Sequence, residues 1–353
     1  MLCCLSGWLC STLFYFAILP AAVLLGTKLI IKKLRGKVDP TNEVDIQGKT
    51  VIVTGASDGI GKVTAEEFAI RGARVIMACR NLQKAEKCVE DIRKKTSNGE
   101  LIVMELDLSK LSSVRKFASE FLQKYGGDSN PGGLSILVNN AGIVNPLGVR
   151  KVTEDGFEET FGVNHLGHFL LTNLLLPEIE KAGNKSSDPS RIVIVSSGAH
   201  NWGQLNFDDL MFEKTPFEDF KILPKLYCNS KLANNLFNLE LAKKLRAKKV
   251  NVNCYALCPG FVLTNIETDA LRETPPHWLI LNVIRPILKF VMLKNAKEGT
   301  ETTIYCSLSK YLTHHSGEMY RNSEFWDYSK RPKLSEKDAA KLWEMSEKLV
   351  KLN

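Results

Sequence analysis

The chain has 353 residues, 44% of them hydrophobic and 24% charged, with a formal net charge of +8. This is the composition of an ordinary soluble globular protein, with room for one large domain or two modest ones. Lys28, Lys32, Lys33, Arg35 and Lys37 supply much of the excess charge, so the basic balance is local and argues against a nucleic-acid-binding protein.

From Leu2 to Gly26 there is no charged residue. Such a run is long enough to cross a bilayer as a helix, and Trp8, Phe14, Tyr15 and Phe16 add aromatic bulk. Pro20 could kink that helix without breaking it. The basic flank from Lys28 to Lys37 should stay cytosolic, which puts the rest of the chain in the cytosol. Residues 1–37 are therefore expected to be a membrane anchor, and 38–47 a short polar linker. A cleaved signal peptide is the competing reading; the absence of a basic n-region and the length of the apolar run stand against it.

Beyond the linker, strand and helix patterns alternate. Val51-Ile52-Val53, Arg74–Cys79, Leu101–Leu106, Ile136-Leu137-Val138, Ile192–Val195 and Val250–Leu257 read as strands. Val63–Arg71, Leu82–Lys95 and Leu111–Tyr125 read as helices between them. The alternation predicts an α/β fold, a doubly wound parallel sheet covered on both faces, in one catalytic domain over 48–325. Residues 326–353 are expected to form a helical surface tail, opened by a capping box at Ser335–Asp338.

Cysteines at 3, 4, 10, 79, 88, 228, 254, 258 and 306 show no Cys-x-x-Cys pair and no regular framework, which fits reduced thiols. Cys3, Cys4 and Cys10 could be acylated, though small apolar filler is the simpler role.

The glycines of Thr54-Gly55-Ala56-Ser57-Asp58-Gly59-Ile60-Gly61 fall where the first strand turns into a helix. Gly55 permits the tight turn, Gly59 a close approach to a pyrophosphate, and Gly61 close helix packing. An NAD-binding chain would carry an acid at the end of the second strand; here Cys79 is followed by Arg80, and Lys62 follows the glycine turn. Two cations without a carboxylate suit the 2′-phosphate of NADP(H). Tyr227 and Lys231 lie one helical turn apart, and an ammonium beside a phenol favours the phenolate.

With Asp107-Leu108, Asn139-Asn140-Ala141-Gly142, Asn164-His165-Leu166-Gly167-His168-Phe169, Val195-Ser196-Ser197, Tyr227 to Asn234 and Pro259-Gly260, these motifs resemble the short-chain dehydrogenase/reductase family over roughly residues 48–320. More narrowly they are similar to its retinol dehydrogenase group. The resemblance implies a Rossmann fold and assigns Tyr227 as proton donor in reduction and base in oxidation. It implies that Lys231 tunes Tyr227 and holds the nicotinamide ribose, that Ser197 holds the substrate oxygen, and that Asn164 keeps a relay water. By the same resemblance Gly55, Ser57, Asp58, Gly59, Ile60, Gly61, Lys62 and Arg80 bind cofactor. So do Asp107, Leu108, Asn139, Ala141, Gly142, Pro259, Gly260 and Thr264.

Ser196, one position from Ser197 on a strand, should point the other way. His165 and His168 read as packing rather than as metal ligands, while His200 could line a substrate channel or cap a turn. Residues 276–293 are too interrupted by Arg285, Pro286 and Lys289 to span a membrane. They suit equally an interfacial helix and an ordinary core helix. The function implied is an NADP(H)-dependent oxidoreductase acting on a lipophilic aldehyde or ketone and its alcohol, retinal and retinol foremost, on the endoplasmic reticulum, mitochondria or lipid droplets. A steroid or fatty-aldehyde oxidoreductase and a non-catalytic dinucleotide-binding scaffold are the alternatives.

Overall fold

The computed structural model describes residues 25–26, 43–127, 132–214, 224–260, 262, 294–327 and 334–352. Most of the expected anchor, residues 276–293 and Thr264 lie outside them. Among the described residues no helix is long and apolar enough to cross a membrane.

Among the described residues, eight strands form a single sheet in the order β3-β2-β1-β4-β5-β6-β7-β8. They are β1 (Thr50–Thr54), β2 (Arg74–Cys79), β3 (Glu100–Glu105), β4 (Leu134–Asn139), β5 (Ser190–Val195), β6 (Val252–Cys258), β7 (Met319–Arg321) and β8 (Glu324–Phe325). Pairing is parallel from β3 through to β7. β8 runs antiparallel to β7. The helices are α1 (Gly59–Ile70), α2 (Leu82–Arg93), α3 (Leu111–Tyr125), α4 (Gly167–Asn184), α5 (Lys225–Lys248), α6 (Ala296–Leu308) and α7 (Glu336–Leu349). This is the doubly wound Rossmann arrangement that the alternating pattern predicts.

The central strands carry β-branched residues buried on both sides, so they read as continuous apolar runs. Along β1 the two-residue period assigns each side chain to a face. Ile52 joins Ile76, Phe117, Phe169 and Phe237 in the core beneath α3, α4, α5 and α7. Val51 and Val53 join Phe68, Val75, Met77 and Ile304 beneath α1, α2 and α6. The chain reverses its progress across the sheet between β1 and β4, and the crevice at that switch point is where such folds bind ligands.

Three features depart from the sequence reading. The linker expected over 38–47 enters the core at its described end: Val44 and Ile46 are buried, and the Val44 amide donates to the Leu308 carbonyl at 2.7 Å. The β7–β8 hairpin is too short and too polar at Arg321 and Glu324 to show as a strand pattern. The final helix is not a surface tail. Ala339, Leu342, Trp343 and Ser346 recur at helical spacing and are buried, and the Trp343 ring meets Phe169 at 4.9 Å and Phe237 at 5.7 Å. Its charges, Glu336, Lys337, Lys341, Glu344 and Lys348, occupy the other face and disguise this one. The expected Ser335 cap is present, its hydroxyl accepting from the Asp338 amide at 3.1 Å.

Candidate active site

The phosphate-side turn is built by steric exclusion. Gly55 and Gly59 adopt φ of +65° and +52°, a region that L side chains rarely enter. A Cβ on Gly61 would run into the Gly55 carbonyl oxygen and lie 2.6 Å from Asn140 Nδ2. Asp58 caps α1, its Oδ1 accepting from the Gly59 amide at 2.7 Å, while Oδ2 receives Lys84 Nζ at 2.6 Å. Asn140 donates its side-chain amide to the Thr54 carbonyl at 2.8 Å. The Thr54 hydroxyl accepts the backbone N–H groups of Asn140 and Ala141, both at 2.9 Å. The ends of β1 and β4 are thereby stitched at the switch point, leaving a bare backbone cradle ahead of a helix N-terminus that fits a dinucleotide pyrophosphate. Thr54 and Asn140 are the residues here that motif reading undervalues; both stand inside the quoted motifs.

At the β2 end, Cys79 is buried and Arg80 is exposed, with no acid in ion-pair distance among the described residues. Lys62 is engaged elsewhere, 2.8 Å from Asp91 on α2. That hydrogen bond raises the ammonium above its usual range, and Lys62 with Lys94 holds the Asp91 carboxyl at about 2. Asp107 Oδ1 accepts from the Ser109 amide at 3.0 Å and hydroxyl at 2.6 Å. The Leu108 carbonyl would lie 2.7 Å from a Cβ on Gly167, so α4 rests directly on that loop. Asn139 turns inward, fully buried, donating to Thr172 Oγ1 at 2.8 Å; its side chain serves the β4–α4 contact. Ile60 supports α6, its carbonyl accepting from Thr300 Oγ1 at 3.3 Å.

The reacting side of the cleft gathers Asn164, Gly142, Ser197, Tyr227 and Lys231 from four separate stretches of chain. Lys231 is buried on α5 and donates to the Val195 carbonyl at 3.0 Å, with Nζ 5.7 Å from the centre of the Tyr227 ring. Burial lowers its pKa to about 8. Ser196 donates to the Lys231 carbonyl at 2.8 Å and ties β5 to α5. Ser197, next along, caps the following short helix, accepting from the Ala199 amide at 3.2 Å.

Asn164 sits within a π-helical turn, Gly162–Leu166, that interrupts the approach to α4. Its Oδ1 accepts from the Ile143 amide at 2.8 Å, and its Nδ2 donates to the Ile143 carbonyl at 2.9 Å and to Ser230 Oγ at 3.0 Å. Ser230 in turn donates to the Tyr227 carbonyl at 2.8 Å. A Cβ on Gly142 would stand 3.3 Å from Asn164 Oδ1 and 3.4 Å from Lys231 Nζ, so glycine leaves that approach open.

The two histidines of the Asn164–Phe169 motif have separate duties. His168 Nδ1 lies 3.1 Å from the Asn164 carbonyl, and Nε2 lies 2.9 Å from Thr54 Oγ1. A carbonyl only accepts, so Nδ1 carries the hydrogen and Nε2 accepts from Thr54. Burial pushes this imidazole down to about 4. His165 stacks among Phe161, Phe169 and Phe237 and contacts Ser346 of α7 at 3.0 Å; burial takes it to about 3. His200 Nδ1 donates to the Ser197 carbonyl at 2.6 Å, and its ring packs edge-on against Trp326 at 5.3 Å. After β6, Gly260 has φ of +88°, and a Cβ there would meet Lys294 Cε at 3.3 Å. Lys294 is buried and donates to Asn322 at 2.9 Å; sequence reading gives it no part.

The sequence model described as short chain dehydrogenase matches residues 49–207. Retinol dehydrogenase 12 of Homo sapiens is 40% identical over 321 residues, spanning 91% of this chain and 92% of that protein. Retinol dehydrogenase 14 of Homo sapiens is also 40% identical, covering 91% of each. A crystal structure of a protein from Mycobacterium Paratuberculosis superposes with a TM-score of 0.66 at 33% identity, over 90% of this chain and 98% of that one. The RhlG/NADP complex of Pseudomonas aeruginosa, 20% identical with a TM-score of 0.59 over 78% of this chain and 95% of that one, shares the fold.

Proposed function

We propose, from the premise that this chain belongs to the short-chain dehydrogenase family, that it is an NADP(H)-dependent oxidoreductase interconverting a lipophilic carbonyl compound and its alcohol, with retinal and retinol as first candidates. The observation that carries the reading is Lys231, a buried ammonium held on the Val195 carbonyl beside the Tyr227 ring. A cation in that position favours the phenolate and so makes Tyr227 a usable acid and base near neutral pH.

In reduction, Ser197 holds the substrate oxygen and Tyr227 passes its phenolic proton to that oxygen; the bound dinucleotide supplies the hydride that the carbonyl carbon receives. Lys231 stabilises the phenolate left behind. Asn164, braced through Ser230 to the Tyr227 backbone, keeps the route for reprotonation in register. In oxidation the same Tyr227 oxygen accepts the alcohol proton.

Arg80 is the side chain on which the choice of NADP(H) rests, since it stands exposed, with no acid paired to it among the described residues, where an NAD-binding chain would carry an acid. The names of the 40%-identical relatives support a retinoid. Residues 1–37 act as a membrane anchor ahead of the catalytic domain, which takes in Val44, Ile46 and α7, a division that lets a lipid-dissolved substrate reach the cleft.

The test uses the full chain purified in detergent, assayed with NADPH against all-trans-retinal, a sterol ketone and a long-chain alkenal. Turnover of retinal, lost in Tyr227→Phe while NADPH still quenches protein fluorescence, is the expected result. No turnover of any member of the panel would overturn the oxidoreductase reading; turnover of the sterol or alkenal alone would overturn the retinoid.

A further inference from the structure

At the opposite end of β5 from Ser197 lies a charged group that the proposed reaction does not use. Arg191 is the largest of the fully buried side chains. Its Nη1 donates to the Cys306 carbonyl at 3.2 Å, and the guanidinium carbon stands 5.9 Å from the Tyr255 ring centre. Its Nε and Nη2 have no hydrogen-bond partner, and among the described residues no carboxylate is within ion-pair distance. Burial pulls the guanidinium below its usual range, yet arginine remains charged at neutral pH. One carbonyl and one ring face are poor compensation for a buried cation.

Next to it is a small cavity of about 20 Å³, lined by Arg191, Ser307, Ser190, Ser186, Lys49 and Asp188 among others. Ser307 is fully buried, and its hydroxyl likewise lacks a partner. A space needs only about 10–15 Å³ to hold a water-sized occupant, so this one suits a single small species better than sulfate or phosphate. A cationic fork, a hydroxyl donor and Lys49 in the lining make a donor set with a positive field. Asp188 at the rim is the opposing charge.

We propose that the Arg191–Ser307 cavity is a structural site for a small monatomic anion of chloride size, which locks the start of β5 to α6. The donors left over on the guanidinium and on Ser307 would converge on it, and its charge would neutralise the buried cation. Binding confined to the folded chain raises the unfolding temperature along a saturating curve.

The experiment follows the unfolding temperature of the full-length protein in detergent, exchanging sodium gluconate for sodium chloride at constant ionic strength. Bromide and sulfate are compared in the same way. A saturating rise with chloride and bromide but not sulfate is expected. Ser307→Ala should raise the half-maximal chloride concentration by about fivefold, the loss of one hydrogen bond. Asp188→Asn should lower it by removing repulsion, and Arg191→Met should abolish the dependence. Where Arg191→Met leaves too little folded protein, Ser307→Ala and Asp188→Asn carry the test in its place. No halide dependence in the parent protein, meaning that water alone fills the cavity, would overturn the site. So would a halide dependence that appears only in Asp188→Asn, since Asp188 would then be the counterion.

Discussion

His168 spans the two halves of the cleft, with one nitrogen on the Thr54 hydroxyl beneath the glycine turn and the other on the Asn164 carbonyl. Its substitutions can be separated by which nitrogen they imitate. His168→Asn keeps a donor near the Nδ1 position, and His168→Gln keeps a polar atom near Nε2. The first should preserve kcat better and the second the KM for NADPH, as steady-state kinetics would register. Protonation reveals the same burial. Unfolded histidines titrate near 6.5, whereas His168 waits until about 4 and His165 until about 3. Above pH 6.5 both states are neutral and these groups add no pH dependence. As pH falls from 6.5 towards 4 the unfolded chain takes up protons that the folded chain refuses, so stability declines through that window. For His168 the loss is on the order of 3 kcal/mol. Urea midpoints measured from pH 7.5 to 4.5 should fall steeply, and less steeply in His165→Gln.

Lys231 predicts a basic limb: above about pH 8 the free enzyme loses the ammonium beside Tyr227, and kcat/KM for reduction falls. Lys231→Met should lower kcat by about 10²-fold or more and remove that limb. On the cofactor side, Arg80→Asp should weaken NADPH binding by roughly tenfold or more, the effect of a lost charge-assisted contact. Lys62→Ala should cost less, since Lys62 already has Asp91. Comparing KM for NADPH and NADH across both variants checks the ranking. These roles were legible as far as residue type and spacing carry them. Tyr227, Lys231 and the glycines declare themselves because their chemistry demands those residues at those separations. The inward turn of Asn139 and the engagement of Lys62 depend on Thr172 and Asp91, partners 33 and 29 positions away.

At the scale of elements, the π turn at Gly162–Leu166 and the docking of α7 do the positioning. The turn presents Asn164 to Ile143 and Ser230, and α7 backs it through His165 and Ser346. Trp343→Ala empties a contact with both Phe169 and Phe237, and should destabilise the domain by about 3–5 kcal/mol in denaturant unfolding. Strand and helix periods gave α2 and α3 their correct starts and β2 its full extent. They miss β7 and β8, where too few residues pair for a pattern to show, and they misjudge α7. Its narrow apolar stripe is outnumbered by lysines and glutamates that face solvent.

Across the whole molecule, the cleft residues stand at the carboxyl ends of β1, β4 and β5, while Arg191 lies at the amino end of β5. The proposed anion site and the chemistry therefore occupy opposite ends of one sheet. The proposed anchor adds a further separation. Deleting residues 1–37 should shift activity from the membrane pellet to the supernatant on fractionation, with NADPH binding retained. Activity that stays in the pellet would point to a second attachment.

The position of α7 also bears on how the chain is made. Arg115, on α3, donates to the carbonyls of Val350 and Lys351, both at 2.7 Å, so residues translated after the whole sheet close the core. Until they leave the ribosome, the aromatic face of Phe169 and Phe237 stays uncovered, however completely the sheet has formed behind it. Nascent chains halted before Ser335 should be held by chaperones, and a premature stop there should yield degraded protein rather than a shortened enzyme.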